Sequence, residues 1–279
     1  MSLETSNETE KPGAVECTIC KDTEVVFGHQ EEGSTTSTTI KYEMYKPCSC
    51  VERKAWRRRF KNAYIPDEFE KSTLENYMQE SEVQKNMLSL ARNYLQAFPE
   101  SKEELIKKGM INFGFIAIVG EQRIRSLPEA HRTETKNKHN SFGLGKTHLH
   151  VALSKRLLKN GFHVLMISDV DFMDEMMNAK RMNDEGETFN KLLKGVMQAD
   201  VLVWDDIGKS KHSEAKESLY YNIINERYKK QKPIVFSSNE DRGTLSERIG
   251  YAATSRLLSR CGENLLETEG EDWRFKKND

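Results

Sequence analysis

The segment Gly143-Leu144-Gly145-Lys146-Thr147 places a lysine and a hydroxyl directly after two spaced glycines. Those residue types suit a phosphate. Backbone N–H groups of a glycine-rich turn, and of the helix it opens, can surround an oxyanion. Lys146 would neutralise β- and γ-phosphates, and Thr147 would hold Mg2+. The apolar run "FGFIAIVG" ends at Gly120, and Leu149, Ala152, Leu153, Leu157 and Leu158 mark an amphipathic helix after Thr147. Asp205 and Asp206 close another apolar run, "ADVLVWDDIG". There Asp205 would act on Mg2+ directly or through water, and Asp206 would polarise an attacking water. Asn239 ends the run "IVFSSN", where its amide would orient water near a γ-phosphate. Arg248, Arg256 and Arg260 follow on a helical pattern, and arginine is the side chain able to reach a neighbouring subunit's γ-phosphate. Each residue also has an ordinary reading, as a surface turn, a strand-ending turn residue or a solvated helix face. Their order along one chain favours a nucleotide site.

A second constellation is Cys17-Thr-Ile-Cys20 with Cys48-Ser-Cys50. Two close thiolate pairs can complete a tetrahedral four-sulfur site, which suits Zn2+. A module of roughly fifty residues has little core of its own, so a metal staple makes physical sense. A redox pair fits less well, because the second half is CxC and no strand–helix context surrounds it. His29 reads as a solvated loop histidine and Cys261 as a small buried residue. Next comes "RKAWRRRFKNAY", Arg53 to Tyr64. Basic side chains interleaved with aromatics can follow a single nucleic-acid strand. They can equally form a solvated helix whose aromatics pack on the cysteine module.

The elements that must position these residues follow from composition and periodicity. The 279 residues are 37% hydrophobic and 31% charged, with a net charge of −1, which excludes a globally basic nucleic-acid binder but not a local basic patch. No apolar run reaches the ~20 residues of a membrane span, and the first residues lack an apolar signal core, so a cytoplasmic protein is expected. In a reducing compartment, clustered cysteines point to metal rather than disulfides. Residues 1–14 read as a disordered tail, 15–64 as a zinc-binding module, 65–110 as a helical linker and 111–279 as the nucleotide-binding domain. In the linker Val83, Met87, Leu90, Ala91, Tyr94, Leu95 and Phe98 recur at helical spacing until Pro99, which should close the pattern or start a new turn. From about residue 111, short Val- and Ile-rich runs alternate with helical patterns, which argues a parallel α/β sheet.

The order GKT, DDIG, SSN, SRL resembles AAA+ ATPases of the bacterial replicative helicase-loader type, DnaC/DnaI-like. "CTIC…PCSCVERK" and "IPDEFEKSTLENY" look like the zinc module and joining segment of its Gram-positive and phage members. The resemblance implies an AAA+ P-loop core without a separate helical lid, binding ATP and Mg2+. It also implies a zinc module that grips the hexameric replicative DNA helicase, single-stranded DNA as a further partner, and self-association through the ATPase domain. In that pattern Arg256 matches the trans-acting arginine. The function implied is ATP-dependent delivery of the helicase onto single-stranded DNA. An IstB-like transposition helper ATPase shares the core motifs, although that group resembles a helical N-terminus without zinc. A zinc-bearing adaptor with an impaired ATP site is the third reading.

The family's loop would run without interruption from Gly120 to Thr147, yet residues 123–142 stand inside it. Removing them joins Gly120-Glu121-Gln122 to Gly143 and restores the G-x-x-x-x-G-K-T spacing. The insertion carries Arg123, Arg125, Arg132, Lys136 and Lys138 against Glu129 and Glu134, and too few apolar residues for a core. Three arrangements stay open. The insertion is extruded while Gly120 and Gly143 meet; or the loop starts late, with Asn140 in place of the first glycine, since Asn tolerates left-handed backbone; or the insertion impairs the site or is absent from the functional protein.

Overall fold

The computed structural model describes residues 17–21, 23–35, 38–48, 50–51 and 65–274. The expected tail 1–14 and the basic run Arg53–Tyr64 lie outside them. The chain divides into two compact units, Met1–Arg58 and Arg59–Asp279.

In the first unit, β1 (Val25–Thr35) and β2 (Thr38–Pro47) form an antiparallel hairpin whose register shifts between Phe27 and His29. The hairpin brings the ends of its strands together, and Cys48 N–H donates to the Glu24 carbonyl at 2.8 Å. The two cysteine pairs, distant in sequence, therefore meet at the hairpin base.

The second unit is built on a five-stranded sheet in the order β4-β5-β6-β3-β7. These strands are β3 (Phe113–Ala117), β4 (Val164–Ser168), β5 (Val201–Asp205), β6 (Ile234–Ser237) and β7 (Leu265–Thr268), all paired in parallel. Three of them, β3, β5 and β6, are the apolar runs "FGFIAIVG", "ADVLVWDDIG" and "IVFSSN", and they are buried along almost their whole length because helices cover both faces. One face packs on α1 (Glu82–Lys107) and α4 (Lys146–Lys159) through Met87, Leu88, Tyr94, Phe98, Leu149 and Leu153. The other carries α5 (Asp169–Ala179), α6 (Glu187–Gln198), α7 (Glu214–Lys229), α8 (Arg242–Ile249) and α9 (Tyr251–Leu258) around Trp204, Tyr220 and Phe236. Beneath this face Arg227 is buried and donates to the carbonyls of Val196, Ala199, Asp200 and Pro233. Burial lowers its pKa to about 9.

Helix α1 starts at a capping box between Ser81 and Gln84. It does not stop at Pro99 but continues to Lys107. A helical proline costs about 3 kcal/mol. Leu105 and Ile106 offset this by joining the core that Met87 to Phe98 already occupy. The helix is thus a structural layer on the five-stranded sheet. No described helix is long and apolar enough to cross a membrane. β7 is the last regular element among the described residues, so no helical lid follows it there.

Candidate functional site

β3 lies between β6 and β7, and β6 lies beside β5. The carboxyl ends of β3, β5 and β6 therefore open onto one crevice, where parallel sheets bind ligands. Asp205 ends β5, Ser237 ends β6, and Ser238-Asn239 follow it. Helix α4 begins at Lys146 with Gly145 as its N-cap residue and no side-chain cap, the kind of helix start that can receive an anion.

The expected residues converge here. Lys146 is 7% exposed; its Nζ donates to Asn239 Oδ1 and, at 3.4 Å, to the Ser238 carbonyl. Burial lowers the Lys146 pKa to about 8, outweighing the attraction of Asp206 and Asp205. Thr147 Oγ1 donates to Asp205 Oδ2 at 2.7 Å. Asp205 Oδ1 accepts from Ser237 Oγ at 2.6 Å and lies 3.1 Å from His150 Nδ1. Burial alone would raise the Asp205 pKa, but His150, Ser237 and Thr147 outweigh it and hold the carboxyl well below the usual range. Asp206 takes φ 55°, a left-handed conformation that costs a non-glycine residue roughly 1 kcal/mol or more. It is held there by three contacts: its N–H donates to Ser237 Oγ at 3.0 Å, and its carboxylate accepts from Asn239 Nδ2 at 3.0 Å and Lys209 Nζ at 2.8 Å. Asn239 is the hub, joining Lys146 and Ser141 through Oδ1 to Asp206 through Nδ2.

The inserted segment is folded. It forms α2 (Glu121–Ser126) and α3 (Glu129–Lys138), and α3 buries none of its residues. Gly120, expected in the phosphate loop, stands outside it and opens α2 instead. The cause is local: Gly120 N–H donates to Asp241 Oδ2 at 2.9 Å, Gln122 N–H donates to Glu240 Oε2 at 3.1 Å, and Arg123 grips both Asp241 oxygens at 2.7 and 2.9 Å. The loop that enters α4 runs from Asn140 to Gly145, the late-starting arrangement. Asn140 folds it by accepting from Phe142 N–H at 3.1 Å, and it exchanges bonds of 2.7 and 2.8 Å with the Gly270 backbone. His139 pairs with Glu269 at 2.8 Å, and Asp272 lies against Gly143, where an added Cβ would sit 1.7 Å from its Oδ1. Gly143 and Gly145 take φ 68° and 87°, and Tyr77, beneath Gly145, donates to the Leu144 carbonyl at 2.7 Å. A cleft of about 920 Å³ separates α2 and α3 from the segment 270–274, with Arg132, Lys136, Phe142 and Arg274 on its walls.

Arg256 stands apart from this group. On α9 its guanidinium lies 5.2 Å from the centre of the Tyr221 ring and donates to the Ala252 carbonyl at 2.9 Å. Arg260 covers Tyr228 at 4.4 Å. Arg248 instead braces the turn after Asp206, donating to the carbonyls of Gly208 and Ser210 at 2.8 and 2.7 Å. Sequence reasoning missed His150, Ser237 and Tyr77. His150 follows Thr147 by three residues on a helix, so helical spacing alone puts it on the same face. Ser237 and Tyr77 have no such local signal.

In the first unit the Sγ atoms of Cys17, Cys20, Cys48 and Cys50 lie within 4.8 Å of one another, all four buried. Cys17–Cys48 and Cys20–Cys50 are 3.7 and 3.4 Å apart. Tetrahedral bonds of about 2.3 Å require sulfurs about 3.8 Å apart. The donor set and spacing therefore fit a four-coordinate metal. The Cys20 backbone N–H lowers the Cys17 pKa to about 6. His29 lies on β1, and Cys261 is buried in the second unit.

Comparison with known proteins bears on the fold and the family. IstB-like ATP binding protein is the family that matches, over residues 71–279. The replicative helicase loader DnaC of Escherichia coli (strain K12) is 24% identical over 242 residues, 87% of this chain and 82% of that protein. The insertion sequence IS21 putative ATP-binding protein of Pseudomonas aeruginosa is 29% identical over 138 residues, 48% of this chain and 50% of that one. A crystal structure of the DnaC helicase loader superposes with a TM-score of 0.54 at 23% identity, over 73% of this chain and 100% of that one. AMPPCP-bound DnaA from Aquifex aeolicus superposes at 0.52 and 22%, over 77% and 54%. These likenesses identify the core as an AAA+ P-loop fold. Since the family match takes in most of the sequence and the whole nucleotide crevice, the chain belongs to the IstB-like ATP binding proteins.

Proposed function

We propose that the protein is an ATP-dependent loader of the replicative DNA helicase. One observation carries this reading: the similarity to the E. coli helicase loader spans 87% of the chain, against 48% for the IS21 protein. It leaves 37 of the 279 residues outside and so extends into the N-terminal unit, beyond the ATPase core alone. The IS21 likeness supports a transposition helper as the second reading.

In the nucleotide crevice, the N–H groups of Gly143, Gly145 and the first turn of α4 bind phosphate, and Lys146 leaves Asn239 to neutralise the β- and γ-phosphates. Thr147 Oγ1 and Asp205 Oδ2, already side by side, are the oxygens that would hold Mg2+. The ion supplies neutralisation of charge on the transferring phosphoryl group. Asp206 and Asn239 orient and polarise the attacking water. Arg256 acts on the nucleotide of a neighbouring copy, which calls for self-association through the ATPase unit. Cys17, Cys20, Cys48 and Cys50 hold Zn2+ and rigidify the unit that grips the helicase. Single-stranded DNA is the remaining partner, with the run 53–61 as its candidate contact.

The test is a pull-down of the replicative helicase with and without ATP–Mg2+, alongside calorimetric titration of ATP–Mg2+. ATP-sensitive capture is expected. No capture under either condition would remove the loader reading, and transposase capture would install the alternative.

A further inference from the structure

His150 emerges on the face of α4 that carries Lys146 and Thr147, yet its ring is fully buried. It stacks nearly parallel on Phe115 of β3, with ring centres 5.9 Å apart and planes 15° from parallel. Its two nitrogens differ. Nδ1 lies 3.1 Å from Asp205 Oδ1. Nε2 meets no hydrogen-bond partner among the described residues. Its helix neighbours Leu149, Val151, Ala152 and Leu153 are buried and apolar and Phe115 lies against its ring, so an apolar side chain would suit packing better than a half-matched imidazole. Packing does not account for the histidine; the contact with Asp205 does.

We propose that His150 is a positioning residue that fixes which Asp205 oxygen faces the metal, an inference that rests on the ATP–Mg2+ reading of the crevice. His150 Nδ1–H and Ser237 Oγ together saturate Oδ1 and turn it inward. Oδ2 is left beside Thr147 Oγ1, at the mouth of the crevice. Without His150, Ser237 alone holds Oδ1, and one of the three contacts that set the carboxylate's rotation about its Cβ–Cγ bond is lost. A proton on Nδ1 is required, since only a protonated Nδ1 donates to a carboxylate.

Two variants of the full chain separate this role from packing. His150→Leu keeps an apolar side chain of similar reach and removes the donor. His150→Asn loses the ring but keeps an N–H where Nδ1 stood. Each is titrated with Mn2+ at saturating ATP, followed by electron paramagnetic resonance, and ATP binding in EDTA is measured separately. His150→Leu should bind Mn2+ about 10- to 100-fold more weakly, the usual loss when an outer-shell partner of a metal ligand is removed. His150→Asn should recover most of that affinity, and ATP binding in EDTA should be alike in all three proteins. Mn2+ affinity unchanged in His150→Leu, or lost equally in a folded His150→Asn, overturns the proposal. Should His150→Leu fail to fold, imidazole 15N resonances of the unaltered protein decide: a protonated Nδ1 that shifts on adding Mg2+–ATP supports it, and a proton on Nε2 overturns it. Failure of the underlying reading is seen earlier and separately, as no Mn2+–ATP binding by the unaltered protein.

Discussion

Replacing Asp241 by alanine removes the carboxylate on which three elements meet. Asp241 caps α8, accepting from Gly243 and Thr244 N–H at 2.8 and 3.0 Å. It also accepts the Gly120 N–H at the exit of β3 and the Arg123 guanidinium of α2. Loss of the cap costs about 1 kcal/mol. The buried Gly120 N–H, left without an acceptor, costs about 1–3 kcal/mol. Arg123 is half exposed, so its ion pair adds less than about 1 kcal/mol. The expected sum is about 2–5 kcal/mol, a large share of the roughly 5–15 kcal/mol that holds a domain. Asp241→Asn keeps one acceptor for the cap and should lose about half as much. The effect has a pH signature. Burial alone would raise the Asp241 pKa, but Arg123 and the N–H groups of Thr244 and Gly120 outweigh it and hold the carboxyl well below the ordinary range. Its stabilisation is therefore complete above the unfolded value of about 3.9 and shrinks as pH falls below it. Urea unfolding followed by the fluorescence of buried Trp204, at neutral pH and near pH 3, measures both quantities. A neutral-pH loss under about 1 kcal/mol, smaller than the cap alone, would refute the reasoning, as would a wild-type-minus-alanine difference that does not shrink in acid.

Further outcomes follow from other contacts. Tyr77→Phe deletes the donor to the Leu144 carbonyl; a loss of about 1–2 kcal/mol in urea and weaker ATP binding by calorimetry are expected. Burial raises the Asp169 pKa to about 6, so its folded form binds more protons than the unfolded chain between about 4 and 6. Its contribution is complete below that window and lost as pH rises through it, and Asp169→Asn should flatten the melting temperature between pH 4 and 7. Arg227→Met strips the buried donor from the carbonyls it serves and should lower stability by at least about 3 kcal/mol, read as the urea midpoint. A mercurial that titrates thiols should release one zinc per chain, measured with a chromogenic chelator, and Cys48→Ser should abolish that release.

The strands and the order of the motifs were readable because both depend on local pattern. Strands covered on both faces appear as short runs of Val, Ile and Phe, and the chemical residues sit at the ends of those runs. The residues that tune the site were hidden for an equally physical reason. Arg123 reaches Asp241 and Asn140 reaches Gly270 across more than a hundred residues, and such contacts leave no spacing signature. Helix α3 buries nothing, so it has no apolar stripe for periodicity to detect. Pro99 misled because its local cost was outweighed by core contacts beyond it, at Leu105 and Ile106.

The clasp between Asn140 and Gly270 also constrains when the site can exist. Strand β3 finds its neighbours only in β6 and β7, and the residues that shape the loop find theirs 130 positions downstream. At ribosomal speeds of about 5–20 residues per second, that separation is on the order of ten seconds of synthesis. A nascent chain already carrying Lys146 and Thr147 still lacks the segment that sets their loop. Pairing of this range is also slow to form, because its closure entropy must be met before its contacts help. The phosphate loop is made before the segment that shapes it, so nucleotide capture can serve as a readout of a finished second unit.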